Sequence, residues 1–168
     1  DSKLKFEKYL KSLCEEKRLG SIILRYFNVA GADKNLRSGL LTNPDNLIKA
    51  ICEVATKKRK KLIVNGNDYK TKDGTTIRDF IHVSDIAEMH LLAAKSLYDN
   101  SSFTAEIYNC GYGLGHSIKD VIQEMNKILK RNIEFEFGPK REGDVEYSVA
   151  DISKFLNKFK WKPKYNNL

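Results

Sequence analysis

The 168 residues are enough to bury one hydrophobic core, the size of a single domain or of part of a larger protein. Lys and Arg outnumber Asp and Glu by 30 to 22, a formal charge of +8, yet the densest cluster, Lys57 to Lys61, falls at the end of a predicted helix, where cations complement the dipole and stay solvated. No nucleic-acid module, no apolar run of the roughly 18 residues that suggest a membrane span and no signal-type segment is present, so neither nucleic acid nor membrane is an expected partner and the cytoplasm is the expected location.

The chain opens on Asp1 rather than Met and enters a helical pattern at once, as expected of a sequence cut from something longer. Phe6, Tyr9, Leu10, Leu13 and Cys14 recur at helical spacing from Leu4, and Gly20 is the expected stop. Ser21 to Phe27 is nearly continuous apolar sequence, a strand covered on both faces, in which Arg25 requires an edge or a partner. Asn43 and Pro44 fit the cap and first turn of a helix carrying Leu47, Ile48, Ile51, Cys52 and Val54, followed by the short strand Leu62 to Val64. Residues 65 to 78 lack apolar periodicity and form a long surface loop, with Arg78 at its exit.

Ser84 fits the cap of a helix with Ile86, Met89, Leu92, Ala93 and Leu97 on one face, and Glu106 to Cys110 reads as a strand. Ser117 caps the most regular helix, whose stripe is Ile118, Val121, Ile122, Met125, Ile128 and Leu129. The alternating IEFEF at 133 to 137 and a short helix from Asp151 to Phe159 complete an α/β alternation without repeats or linkers. Cys14, Cys52 and Cys110 are far apart and each lies in an apolar segment, which predicts buried thiols and no metal site.

CGYGLG at 110 to 115 invites the dinucleotide fingerprint G-x-G-x-x-G, but His116 stands where the third glycine is needed, so a plain strand-to-helix turn is expected. His82, His90 and His116 share no spacing and read as structural, and Asp79, His82 and Asp85 crowd together without the convergence that acid-base chemistry needs. Tyr26 and Phe27 read as core, whereas Asn28, just past the strand end, either donates to a ligand oxygen or closes a turn. Arg78 in GTTIRDFIHVSD and Arg141 in PKREGD carry planar donor forks that suit two phosphate oxygens, and two from distant segments suit an anchored pyrophosphate.

Taken in order, SIILRYFNVAGA, DNLIKAICEVA, LIVNGNDYKTKDGTTIRDFIHVSDIAEMHLLA, EIYNCGYGLGHSIKDVI and KREGDVEYSVADISK resemble the carboxy-terminal half of the UDP-glucose 4-epimerases, extended short-chain dehydrogenase/reductases. The resemblance covers essentially the whole chain. It implies the end of a Rossmann-type parallel sheet over residues 1 to 33 and, over 34 to 168, mainly the smaller α/β UDP-sugar-binding domain, with the NAD-binding half upstream. The implied reaction is reversible 4-epimerisation of UDP-glucose and UDP-galactose through a 4-keto sugar, with NAD as cofactor, in an enzyme that forms homodimers. The opening DSK would be the tail of the Y-x-x-x-K motif and Lys3 its lysine, with the tyrosine two residues before Asp1 and this chain inactive alone.

By the same resemblance Asn28, Asn46 and the Leu47 backbone meet the diphosphate, Arg78 and Arg141 neutralise it, and the backbone near Ile63 and Asn65 meets uracil. Asp144 binds the ribose with Phe80 nearby, while Tyr26 and Val29 lie by the nicotinamide. Val29 replaces a frequent proline, and Asn65 a common aromatic or aliphatic residue. Ser148 falls at the gatekeeper position beside the sugar's C2 substituent, which implies room for UDP-N-acetylhexosamines. Two further readings stand beside this one: a dehydratase or decarboxylase of the same superfamily, against which the NDYKTKDGTTIRD loop speaks, and a non-catalytic UDP-sugar-binding remnant or subunit.

Overall fold

The computed structural model describes residues 2–35, 37–40, 46–100 and 102–166. Helix α1 (Ser2–Glu15) leads into strand β1 (Ser21–Tyr26). Leu13 and Cys14 are buried, but Leu4, Phe6 and Tyr9 are 50%, 60% and 55% exposed, so the apolar spacing that predicts the helix does not mark a face covered here. The helix ends at Glu15, before a left-handed Lys17 at φ 55°, and not at Gly20. Gly20 serves close approach instead: a Cβ there would stand 2.2 Å from the Ser102 carbonyl oxygen. Arg25 finds its partner on α1, its Nε and Nη2 donating to the Glu7 carboxylate at 2.9 and 2.5 Å.

Strand β1 runs parallel to β5 (Ala105–Cys110), in register from Ser21 opposite Ala105 to Tyr26 opposite Cys110. Tyr108 and Cys110 of β5 join Ile81, Met89, Phe155 and Trp161 in one core cluster, with Ile22 and Leu24 packed against it. Helix α3 (Val83–Asp99) contributes Ile86 and Met89, and α5 (Ser153–Phe159) contributes Phe155. The cap of α3 is His82 rather than Ser84: the imidazole Nδ1 accepts from the Ser84 amide at 3.1 Å.

A second cluster of Ile51, Leu62, Val64, Val121, Ile122 and Ile133 lies between α2 (Leu47–Ala55), α4 (Ile118–Leu129) and the parallel pair β3 (Leu62–Asn65) and β7 (Phe135–Gly138). Asn43 and Pro44 lie outside the described residues; Asn46 caps α2, its side-chain oxygen accepting from the Lys49 amide at 3.1 Å. Ser117 caps α4 as predicted, in a reciprocal box with Asp120. The stripe of α4 is narrower than its spacing suggests, because Ile128 is 67% exposed. Cys14 and Cys110 are buried, whereas Cys52 is exposed on α2, a correction to the expectation of three buried thiols.

Strand β4 (Ile77–His82) ties these parts together. It pairs in parallel with β2 (Asn28–Ala30), placing Asn28 opposite Phe80, antiparallel with β6 (Gly115–Ser117), and in parallel with β8 (Tyr147–Ser148). Successive side chains of a strand point to opposite faces. Asp79 and Ile81 are therefore fully buried on one face while Arg78 and Phe80 look out from the other. Among the described residues no helix is long and apolar enough to cross a membrane.

Candidate functional site

The outward face of β4 forms the floor of a cleft of about 720 Å³. Asn28 and Val29 approach from β2, Asn46 and Leu47 from the start of α2, and Ile63 and Asn65 from the end of β3. Arg141 and Asp144 come from the turn after β7. The substrate-binding residues named from the resemblance thus line one space, Ser148 excepted, and Val29, which the resemblance assigns to the nicotinamide, lines the same space. Ser148 is half-buried next door, opposite Arg78 in the β4–β8 register. Lys3 is exposed on α1, and Tyr26 is 53% exposed with its hydroxyl 3.1 Å from His90 Nε2, so neither the core placement predicted for Tyr26 nor a position in this cleft is found.

The two predicted guanidiniums share the cleft and are each oriented. Arg78, with only 11% of its side chain exposed, donates from Nη1 to its neighbour's carbonyl at Ile77 (2.9 Å) and from Nη2 to Asp144 Oδ1 (3.1 Å). Arg141 takes Asn65 as an acceptor: with the amide oxygen facing the guanidinium, that oxygen accepts from Nε at 2.9 Å and Nη2 at 3.0 Å. The Asp144 amide donates to the Arg141 carbonyl at 3.2 Å, so the turn joins both arginines. Of the first amides of α2, also on the cleft, that of Lys49 is taken by the Asn46 cap, while those of Leu47 and Ile48 have no intrahelical acceptor, by helix geometry, and favour an anion.

A third guanidinium has no motif in the sequence to mark it. Arg59 lines the cleft, its Nε and Nη2 donating to Glu53 Oε2 at 3.0 and 2.8 Å, and is thus not one of a uniformly solvated cluster. The turn after α2, with Lys57 at φ 60°, aims it there, and nothing in a run of five basic residues marks which one turns inward. Among the described residues lining the cleft, Asp144 is the one carboxylate beside Arg59, Arg78 and Arg141; Arg59 is already matched by Glu53 outside the lining, so the excess is that of Arg78 and Arg141 over Asp144. In a partly dry groove such an imbalance favours an anionic ligand.

The reverse face of β4 is chemically closed. Asp79 accepts from the amides of Tyr112 (2.9 and 3.1 Å), Gly113 (2.8 Å) and Ala150 (3.2 Å), so the glycine turn spends its donors on a carboxylate of the protein itself. Asp85 accepts from the Tyr112 hydroxyl at 2.6 Å and from the amides of Lys164 and Tyr165. Burial first, and the Asp85 carboxylate second, push the Tyr112 phenol well above its ordinary range, which keeps it a donor. Cys110, buried in the same region, is pushed up to about 12 by burial and stays a thiol.

A parallel α/β unit with such a cleft is the fold of the extended short-chain dehydrogenase/reductases: a UDP-glucose 4-epimerase structure from Stenotrophomonas maltophila, with bound NAD and formylated UDP-arabinopyranose, superposes with a TM-score of 0.90 at 36% identity over 96% of this chain and 48% of that one. The model of the NAD dependent epimerase/dehydratase family matches residues 1–111, and the chain belongs to that family. It is 39% identical to a UDP-glucose 4-epimerase of Azospirillum brasilense over 99% of this chain and 48% of the relative. A UDP-Glc/GlcNAc 4-epimerase from Campylobacter jejuni shares 42% identity and a TM-score of 0.75, across 99% of this chain and 50% of that one. The chain spans about half the length of the relatives it matches.

Proposed function

We propose that this chain is the sugar-nucleotide-binding part of an enzyme that interconverts UDP-glucose and UDP-galactose by 4-epimerisation, working as a cytoplasmic homodimer with NAD. The observation that carries the reading is the convergence of Arg78 and Arg141, from segments 63 residues apart, on one cleft with the amino end of α2 on its rim. The diphosphate lies between the two guanidiniums, with Asn28, the Asn46 amide and the Leu47 backbone as further donors. The uracil lies along Ile63 and Asn65, and the ribose at Asp144 beside Phe80.

Epimerisation at C4 requires the oxidised sugar to present its other face, so contacts on the hexose must be few. Affinity then has to sit in the nucleotide, as uniform binding that holds the ring near the reacting groups without fixing it. Ser148, with its small side chain beside Arg78, leaves room at C2, and UDP-N-acetylhexosamines are accepted as well.

NAD fits the groups this chain presents only in part: the exposed Lys3 ammonium offers a donor for ribose hydroxyls, and the exposed Tyr26 ring and Val29 offer apolar contact for a nicotinamide. When bound, it supplies reversible hydride transfer at C4. Lys3 also favours the ionised form of a neighbouring phenol by its charge. Residues 1–33 close the NAD-binding domain, and 34–168 form mainly the substrate domain.

Calorimetric titration of the chain with UDP, UDP-glucose and uridine tests the reading. UDP and UDP-glucose should bind within about threefold of each other, and uridine at least about tenfold more weakly, the worth of one charge-assisted contact. Equal binding of uridine and UDP, or affinity that depends on the hexose, would contradict it.

A further inference from the structure

Arg141 sits on an exposed turn, yet a diphosphate clamp needs its guanidinium in a fixed place. The residue before it shows how that is arranged. Lys140 is not among the residues lining the cleft; its ammonium stands 3.2 Å from the Asp68 carbonyl oxygen, 3.1 Å from Asp68 Oδ1 and 4.6 Å from the centre of the Tyr69 ring. The platform beneath it is firm, since the Tyr69 amide donates to Gly74 at 3.0 Å and the Thr71 amide to Tyr69 at 2.8 Å. Gly66 permits the close packing: at φ +80° a Cβ would stand 2.5 Å from Tyr69 Cε2 and 2.8 Å from Lys140 Cγ. Tyr69 is buried while its hydroxyl has no hydrogen-bond partner, so the ring and not the hydroxyl is what the latch uses.

We propose that Lys140 is a positioning residue: it latches the turn bearing Arg141 onto the Asp68–Tyr69 platform and so sets where the Arg141 guanidinium stands. The proposal rests on the reading of the cleft as a diphosphate site. Lys140 and Asn65 hold different parts of the same turn, one anchoring it through its own ammonium and the other meeting the Arg141 guanidinium. A lysine acting only as a general surface cation would behave differently, because its loss would be felt with Arg141 absent as well as present.

Amide exchange in the free chain decides the latch without any ligand: Lys140→Ala should speed exchange at the Asp144 amide, which donates to the Arg141 carbonyl, by about three- to tenfold, the range of an exposed ion pair plus a cation–π contact. Lys140→Arg and Tyr69→Phe should leave it within about twofold of the unsubstituted chain, since each keeps the cation or the ring. In calorimetry Lys140→Ala should weaken UDP by a similar three- to tenfold factor and leave uridine unchanged, and should have no further effect in an Arg141→Ala background. Unchanged exchange, equal losses for UDP and uridine, or a full additive loss without Arg141 would each overturn the proposal. Failure of the unsubstituted chain to bind UDP would instead count against the diphosphate reading, with the exchange result still deciding the latch.

Discussion

The two faces of β4 hold charged residues that are adjacent in sequence and opposite in surroundings. Asp79 turns inward and meets three backbone amides, whereas Arg78 turns outward and meets one carboxylate at the edge of an open cleft. A buried charge whose hydrogen-bonding capacity is met by the chain belongs to the architecture, since leaving it unmet would cost far more than the bonds return. A cleft in which Arg78 and Arg141 outnumber the carboxylate of Asp144, with Arg59 already matched by Glu53, is arranged for something the chain does not itself contain. Burial and partner count, rather than the mere presence of charge, separate structure from function along this strand.

The comparison breaks most visibly at Asp79. Asp79→Ala should cost roughly 3–5 kcal/mol in denaturant unfolding, because the fully buried carboxylate is the shared acceptor of three backbone amides, of which that of Ala150 is itself buried. A loss below about 1 kcal/mol would show that the turn finds other partners. Arg141→Ala should do the reverse, weakening UDP by about 10- to 150-fold, the equivalent of about 1.5–3 kcal/mol, while the unfolding midpoint barely moves. Loss of stability without loss of UDP binding would move Arg141 to the architectural side.

Acidification gives the smallest effect. Burial pushes the Asp73 carboxyl up, but hydrogen bonds from Ser117 and Thr75 and the nearby Lys119 ammonium outweigh it and hold the group below its ordinary value. Burial likewise raises Asp120, and Lys72 together with the Ser117 cap brings it down. A carboxylate lowered by folding adds stability that is complete above its unfolded value, about 3.9, and disappears as pH falls through the folded one. Unfolding curves should therefore be flat from neutrality to about pH 5 and decline below about pH 4, with a shallower decline in Asp73→Asn. Identical acid limbs in the two proteins would show that Asp73 contributes nothing to the linkage.

Much of this was legible in the residues. Ser117 ahead of a regular apolar stripe announces the start of α4, whereas strand β4, which sets Arg78 and Asp79 on opposed faces, begins at Ile77 inside the segment that the sequence reads as a surface loop. Arg141 is singled out by its guanidinium chemistry in PKREGD, but Asn65 is reachable only through resemblance, since nothing in the residues around it reveals what its side chain meets. Arg59 was hidden because its direction depends on a left-handed Lys57 and on Glu53 six residues earlier. His82 took the cap expected of Ser84 because an imidazole nitrogen accepts as well as a hydroxyl does. The exposure of Cys52 and of the α1 residues Phe6 and Tyr9 depends on what packs against each helix, which apolar spacing does not specify.

A crystal structure of the chain with UDP would test the central claim most directly. The account predicts diphosphate oxygens within hydrogen-bond distance of both the Arg78 and Arg141 guanidiniums, with the amino end of α2 closing the third side. A diphosphate seated elsewhere, or touching neither arginine, would contradict it.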